Sequence, residues 1–145
     1  MADRGPYPYN EYQEAWLRDL ETTDAQQTVG YLHRLIASDR PEEVAGYCCL
    51  GRACVSMGEK PEIFINAEIG SYDGEETILP WHAVEKLHLL DAQGAFAESI
   101  GRPDGGQFDA LTELNDAGWS FREIAAYIRG NPWNVFLAPD EERED

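Results

Sequence analysis

Cys48 and Cys49 are adjacent, Cys54 follows, and His33, His82 and His88 are the chain's imidazoles. Nucleophilic or metal chemistry would have to start from these side chains. A thiol at the start of a helix has its thiolate stabilised by the helix dipole, so Cys48 or Cys49 is a candidate nucleophile for a cysteine-dependent enzyme. Such a nucleophile needs a base, and none of the three histidines forms a recognisable local signature with the thiols. Zinc is disfavoured by the spacing, which is Cys-Cys-x4-Cys rather than paired C-x2-C, with no histidine at a matching interval. His82 and His88 lie about 120° apart around a helix and cannot act as an i, i+4 metal pair. The bland alternative is packing: Leu50, Ala53, Cys54 and Met57 form one helical stripe, and cysteine behaves as a small hydrophobe in cores. The expectation is therefore no catalytic residue, no metal and no cofactor.

Other constellations are equally sparse. The segment DAQGAFAESIGRPDGGQFD carries carboxylates and glycines, but Asp91, Gln93, Gly94 and Glu98 do not reproduce the ligand positions of a twelve-residue calcium loop. The phosphate loop G-x-x-x-x-G-K-[ST], the dinucleotide G-x-G-x-x-G and the nucleophile elbow G-x-S-x-G are absent. A pocket for a signalling nucleotide would require Arg34, Arg52, Arg102 or Arg122 to converge, and this sequestering role is the alternative small-ligand reading. Charge points elsewhere. With 28 acidic against 11 basic residues the chain carries −17, which repels phosphate backbones and excludes direct nucleic-acid binding. Such a surface either keeps the protein soluble or steers it onto a basic protein. Aromatic anchors inside a polar rim would complete such an interface, and Tyr72, Trp133 and Phe136, with Asp73, Glu75 and Glu76, are the candidate partner-binding residues. Tyr7, Tyr9 and Tyr12 are further aromatics expected to be exposed, the alternative being that they fold back over the core.

The elements that must position these residues are mostly helical. Residues 111–128 spell a helix, a turn at Gly118 and a second helix opened by the reciprocal cap of Ser120 and Glu123, with Phe121, Ile124, Ala125 and Ile128 on one face. This hairpin resembles the start of a DNA-reading helix-turn-helix, but Arg129-Gly130-Asn131-Pro132 stops it and no recognition helix follows. Asn10 caps a first helix reaching about Leu20, with Trp16, Leu17 and Leu20 inward. Residues 28–36 suit strand and helix alike, and 39–46 read as a loop between Pro41 and Gly46. A short buried helix spans 48–57. Strands at 63–68 and 76–79 are expected to pair around Asp73-Gly74, a dipeptide that accepts positive φ. Pro80 begins a helix with Trp81, Val84 and Leu87, and residues 91–106 are a glycine-rich loop with a short strand at 95–97. No internal repeat is visible.

Tyr47-Cys48-Cys49-Leu50-Gly51-Arg52-Ala53-Cys54, followed some sixty residues later by Leu114-Asn115-Asp116-Ala117-Gly118-Trp119-Ser120-Phe121, resembles a group of small uncharacterised proteins of bacteriophages and prophages. Those show a tryptophan-bearing helix (here Trp16), a Cys-Cys-Leu-Gly helix, a Leu-Pro-started helix (Leu79-Pro80) and a Leu-Asn-Asp-x-Gly-x-Ser-Phe ending. This chain departs from them in an inserted loop at 37–45, in Arg52 where an aliphatic residue is usual, and in its tail after Gly130. The resemblance implies a genomic setting and transfers no catalytic residue.

The expected fold is a single α+β domain of four or five short helices around a small antiparallel hairpin sheet, with 1–10 an extended lead-in, 11–137 the domain and 138–145 an acidic tail. No apolar run reaches the ~20 residues needed to cross a bilayer, the amino terminus lacks a secretory signal, and three cysteines suit a reducing bacterial cytoplasm. The expected role is that of an acidic phage-type accessory protein that binds and inhibits a host protein with a basic surface, in defence or gene expression.

Overall fold

Asn10 opens the first helix with a reciprocal cap: its Oδ1 accepts from the Gln13 N–H at 2.8 Å, and Gln13 Oε1 accepts from the Asn10 N–H at 2.8 Å. Helix α1 (Glu11–Thr22) then buries Gln13, Trp16, Leu17 and Leu20 on one face. The computed structural model describes residues 5–35, 44–63 and 69–139.

Strands β1 (His33–Leu35) and β2 (Val44–Gly46) follow, then helix α2 (Cys49–Ser56) and strands β3 (Glu62–Ile63) and β4 (Ile69–Ser71). These four strands pair antiparallel in the order β2-β1-β4-β3. Several expectations are corrected here. The ambiguous stretch 28–36 contains strand β1. The expected loop 39–46 carries β2 in its last three residues, its first part lying outside the described residues. The expected partner strand at 76–79 does not form: β4 pairs instead with β1 and β3, and the Glu76 carbonyl accepts from the Leu32 N–H at 2.8 Å. Asp73-Gly74 is nonetheless a tight turn, with φ of 53° and 85°, closed by the Tyr72 and Glu75 peptides exchanging bonds of 2.9 and 3.0 Å. β1 and β4 lie on either side of α2 in sequence, so their pairing is chosen by tertiary packing and not by a local pattern.

Pro80 occupies the position before helix α3 (Trp81–Leu87), one residue earlier in the helix frame than expected. The glycine-rich stretch beyond it is mostly a hairpin, β5 (Ala95–Gly101) with β6 (Gln107–Ala110), rather than a loop with a short strand. Ala95 lies opposite Ala110 and Ile100 opposite Phe108, so five steps along β5 match two along β6 and the register shifts between them as a bulge in β5. Helix α4 (Leu111–Asp116), the turn at Gly118 with φ 97°, and helix α5 (Phe121–Gly130) form the expected hairpin. Its cap is as expected, with the Glu123 N–H donating to Ser120 Oγ at 3.0 Å and the Ser120 N–H to Glu123 Oε1 at 2.9 Å. A short helix α6 (Pro132–Val135) follows the stop.

Leu50, Ala53 and Cys54 are buried in one core with Phe121, Ile124 and Ile128, while Met57 is partly covered. The two stripes meet through α1, on which α2 and α5 both pack. Arg129 fastens α5 to α1, its Nε 2.6 Å from Glu21 and its Nη2 2.8 Å from Glu14. These two carboxylates hold the Arg129 guanidinium well above its ordinary pKa. The amino-terminal lead-in is part of the same packing: Tyr7 is 6% exposed and its hydroxyl donates to the Leu137 carbonyl at 2.5 Å.

Candidate functional site

The two sequence motifs meet through one side chain. Asn115, 1% exposed, accepts from the Cys49 N–H at 3.0 Å and from Gln27 Nε2 at 2.8 Å on Oδ1, and donates from Nδ2 to the Thr28 carbonyl at 2.9 Å. The first turn of α2 is thus capped from α4. Asp116 beside it accepts from the Gly30 N–H at 3.2 Å. Trp16 Nε1 donates to the Cys49 carbonyl at 2.9 Å. Gly51 explains the glycine of the motif, because a Cβ there would stand 1.8 Å from the Leu32 carbonyl oxygen. Beside this junction lies a polar cleft of about 240 Å³, whose walls include Cys48, Thr77, Gln93, Thr112, Glu113 and Asp116.

The thiols are arranged for packing. Cys48, Cys49 and Cys54 are free and buried. Burial pushes the Cys48 thiol up to about 11, against weaker stabilisation of the thiolate by the amides of Gly51 and Leu50. Burial raises Cys49 and Cys54 as well. Among the described residues no hydrogen bond joins a histidine to a thiol. His33 is buried in β1 with its ring edge-on to Tyr47 at 5.2 Å and Nδ1 3.5 Å from the Tyr72 hydroxyl, and burial lowers its pKa. His82 pairs with Glu59 at 2.8 Å, and His88 closes α3 in the left-handed conformation at φ 52°. In the native chain all three thiols are expected to resist a water-soluble aromatic disulfide, and to react fully once guanidinium unfolds the protein. A native-state equivalent released promptly would instead identify a reactive cysteine.

The four arginines do not converge. Arg52 is 8% exposed and makes a two-pronged pair with Asp19, at 2.8 and 2.7 Å, under the ring of Tyr47. Arg34 is exposed beside Tyr31, Arg102 covers Phe108 on the β5–β6 hairpin, and Arg122 is exposed on α5. None of them lines the Cys48 cleft, whose carboxylates Glu113 and Asp116 would repel a phosphate. The expected nucleotide pocket is corrected on that ground.

Two of the three expected aromatic anchors are corrected too. Tyr72 is 1% exposed, turned inward from the tight turn toward His33, and Phe136 is 2% exposed against the rings of Tyr7, Tyr9 and Trp16. Neither offers surface to a partner. Trp133 is partly exposed, standing edge-on to Tyr7 with ring centroids 4.8 Å apart and donating to the Gly5 carbonyl at 3.0 Å. Asp73 is exposed, and Glu75 and Glu76 are half-buried beside it. Trp81, at 48% exposure, is a surface aromatic at the start of α3.

Trp133 borders the larger depression, a groove of about 500 Å³ between the bulge of β5 and the corner joining α5 to α6. Ala97, Ile100, Tyr127 and Pro132 give it an apolar character, and Glu98 is the single charged residue among those lining it. Asn134 braces the groove from beneath: its side-chain amide accepts from the Glu98 N–H at 2.7 Å, donates to the Glu98 carbonyl at 3.0 Å, and donates to the Tyr127 hydroxyl at 2.8 Å. None of these features was legible as a site in sequence, apart from Trp133. Compared with family models, curated proteins and solved structures, the chain matches none.

Proposed function

We propose that this chain is a non-enzymatic accessory protein that docks on a basic surface of a protein partner and blocks it. The observation that carries the reading is an apolar groove bordered by a partly exposed tryptophan on a chain of net charge −17. Hot-spot residues are aromatic side chains in apolar depressions surrounded by polar rims, and complementary charge brings such surfaces together quickly. Burial, which raises all three thiols, and the absence among the described residues of a hydrogen bond between a histidine and a thiol favour binding over cysteine chemistry. The resemblance to phage proteins suggests a host protein of the infected bacterial cytoplasm as partner, in defence or gene expression. Among the described residues no helix is long and apolar enough to cross a membrane.

Affinity capture from bacterial lysate at low and high salt, followed by surface plasmon resonance with the captured protein, tests the reading. Reversing Asp73, Glu75 and Glu76 to lysine is expected to slow association and flatten its salt dependence, since surface charges outside an interface core act chiefly on encounter. Unchanged association kinetics would leave the −17 with no role beyond solubility.

A further inference from the structure

We infer that the groove between β5 and the α5–α6 corner receives an arginine side chain presented by the protein partner. This rests on the proposed function and assigns its contact. The lining residues include no lysine, arginine or histidine, and their single charge is the carboxylate of Glu98. Gly130 and Asn131, at the carboxyl end of the ten-residue helix α5, form part of the wall, and the end of a helix carries partial negative charge that favours a cation. The nearest basic residue in sequence, Arg129, is committed to Glu14 and Glu21 on α1 and does not line the groove.

The apolar part selects among cations. Ile100, Pro132 and Trp133 provide surface for an aliphatic stem, and Trp133 and Tyr127 are the aromatic residues among those lining the groove, a residue class that attracts cations. A guanidinium is weakly hydrated, stacks on aromatic rings and forks onto a carboxylate, whereas an ammonium is a compact, strongly hydrated charge. At about 500 Å³ the groove has room for one long side chain with its backbone across the mouth. Strand addition along β5 is a poorer fit, because the Glu98 N–H and carbonyl are already taken by Asn134.

The test uses the full chain labelled with ¹⁵N and titrated at low salt with the peptide acetyl-Gly-Arg-Gly-amide. Versions carrying lysine or the neutral isostere citrulline serve as comparisons. Saturable shifts are expected at the Trp133 indole N–H and the amides of Gly130 and Asn131, with the citrulline peptide weaker by at least about threefold. Glu98→Gln should weaken the arginine peptide similarly while leaving the rest of the spectrum in place. Equal binding of arginine and citrulline, or shifts centred on Asp73, Glu75 and Glu76 instead of the groove, would overturn the inference and leave the basic-partner reading standing. If an octa-arginine peptide also produced no shifts at low salt, that reading would fail as well.

Discussion

Replacing Gly51 by alanine is expected to destabilise the chain by more than about 3 kcal/mol, beyond the ordinary range for an overpacked core. Helix propensity alone argues the opposite, since alanine in place of glycine inside a helix is worth about 1 kcal/mol of added stability. The sign of the effect therefore separates the two causes. An added Cβ would meet the Leu32 carbonyl oxygen at 1.8 Å, its carbon at 2.6 Å and its Cα at 3.0 Å, all backbone atoms that cannot rotate away. Helix α2 would have to move off the segment entering β1, and the Cys49 N–H would move with it away from Asn115. Urea unfolding followed by circular dichroism measures the change, and a Gly51→Ala protein as stable as the parent would refute the close approach.

The second large effect is expected at Asn115. Asn115→Ala removes the partners of the Cys49 N–H and the Thr28 carbonyl in one step, and leaving a buried donor or acceptor unpaired costs about 1–3 kcal/mol each. Gln27 keeps its bond to the Trp119 carbonyl at 2.6 Å, so its loss is partial. A total near 3 kcal/mol follows, a large share of the roughly 5–15 kcal/mol that holds a domain of this size together. Thermal unfolding of Asn115→Ala beside Asp116→Ala separates the hub from its exposed neighbour, which should cost well under half as much. Equal losses would show that the turn, and not the buried amide, joins the two motifs.

What was legible in the sequence followed its local codes. The cap at Ser120, the start of α1 at Asn10 and the positive-φ dipeptide Asp73-Gly74 depend on neighbours within a few residues, and each is where it was expected, whereas Gly130, expected as the C-terminal cap, is the last residue of α5 and Asn131 is the cap. The α+β class came from the same signals. Strand partners were not legible, because β1 and β4 meet from either side of α2 in sequence and the register shift in β5 breaks the alternation that would have announced that strand. The candidate site suffered most from this. Tyr72 and Phe136 stand in segments that look exposed, yet their rings cover the core from a turn and from the chain's end. The groove beside Trp133 is made by a bulge and a helix corner more than thirty residues apart, and the link between Cys49 and Asn115 spans 66 residues. Nothing within a local window encodes either.

Asn134 has a consequence for how copies of this chain coexist. An exposed strand edge is a template on which a second molecule can add a strand, and this is one route to amyloid-like stacking. By giving the Glu98 peptide both a donor and an acceptor, the amide of Asn134 fills the place of one residue of a neighbouring strand. At Glu98 a neighbouring strand would therefore find its place already filled, by bonds that salt cannot screen as it screens repulsion between acidic surfaces.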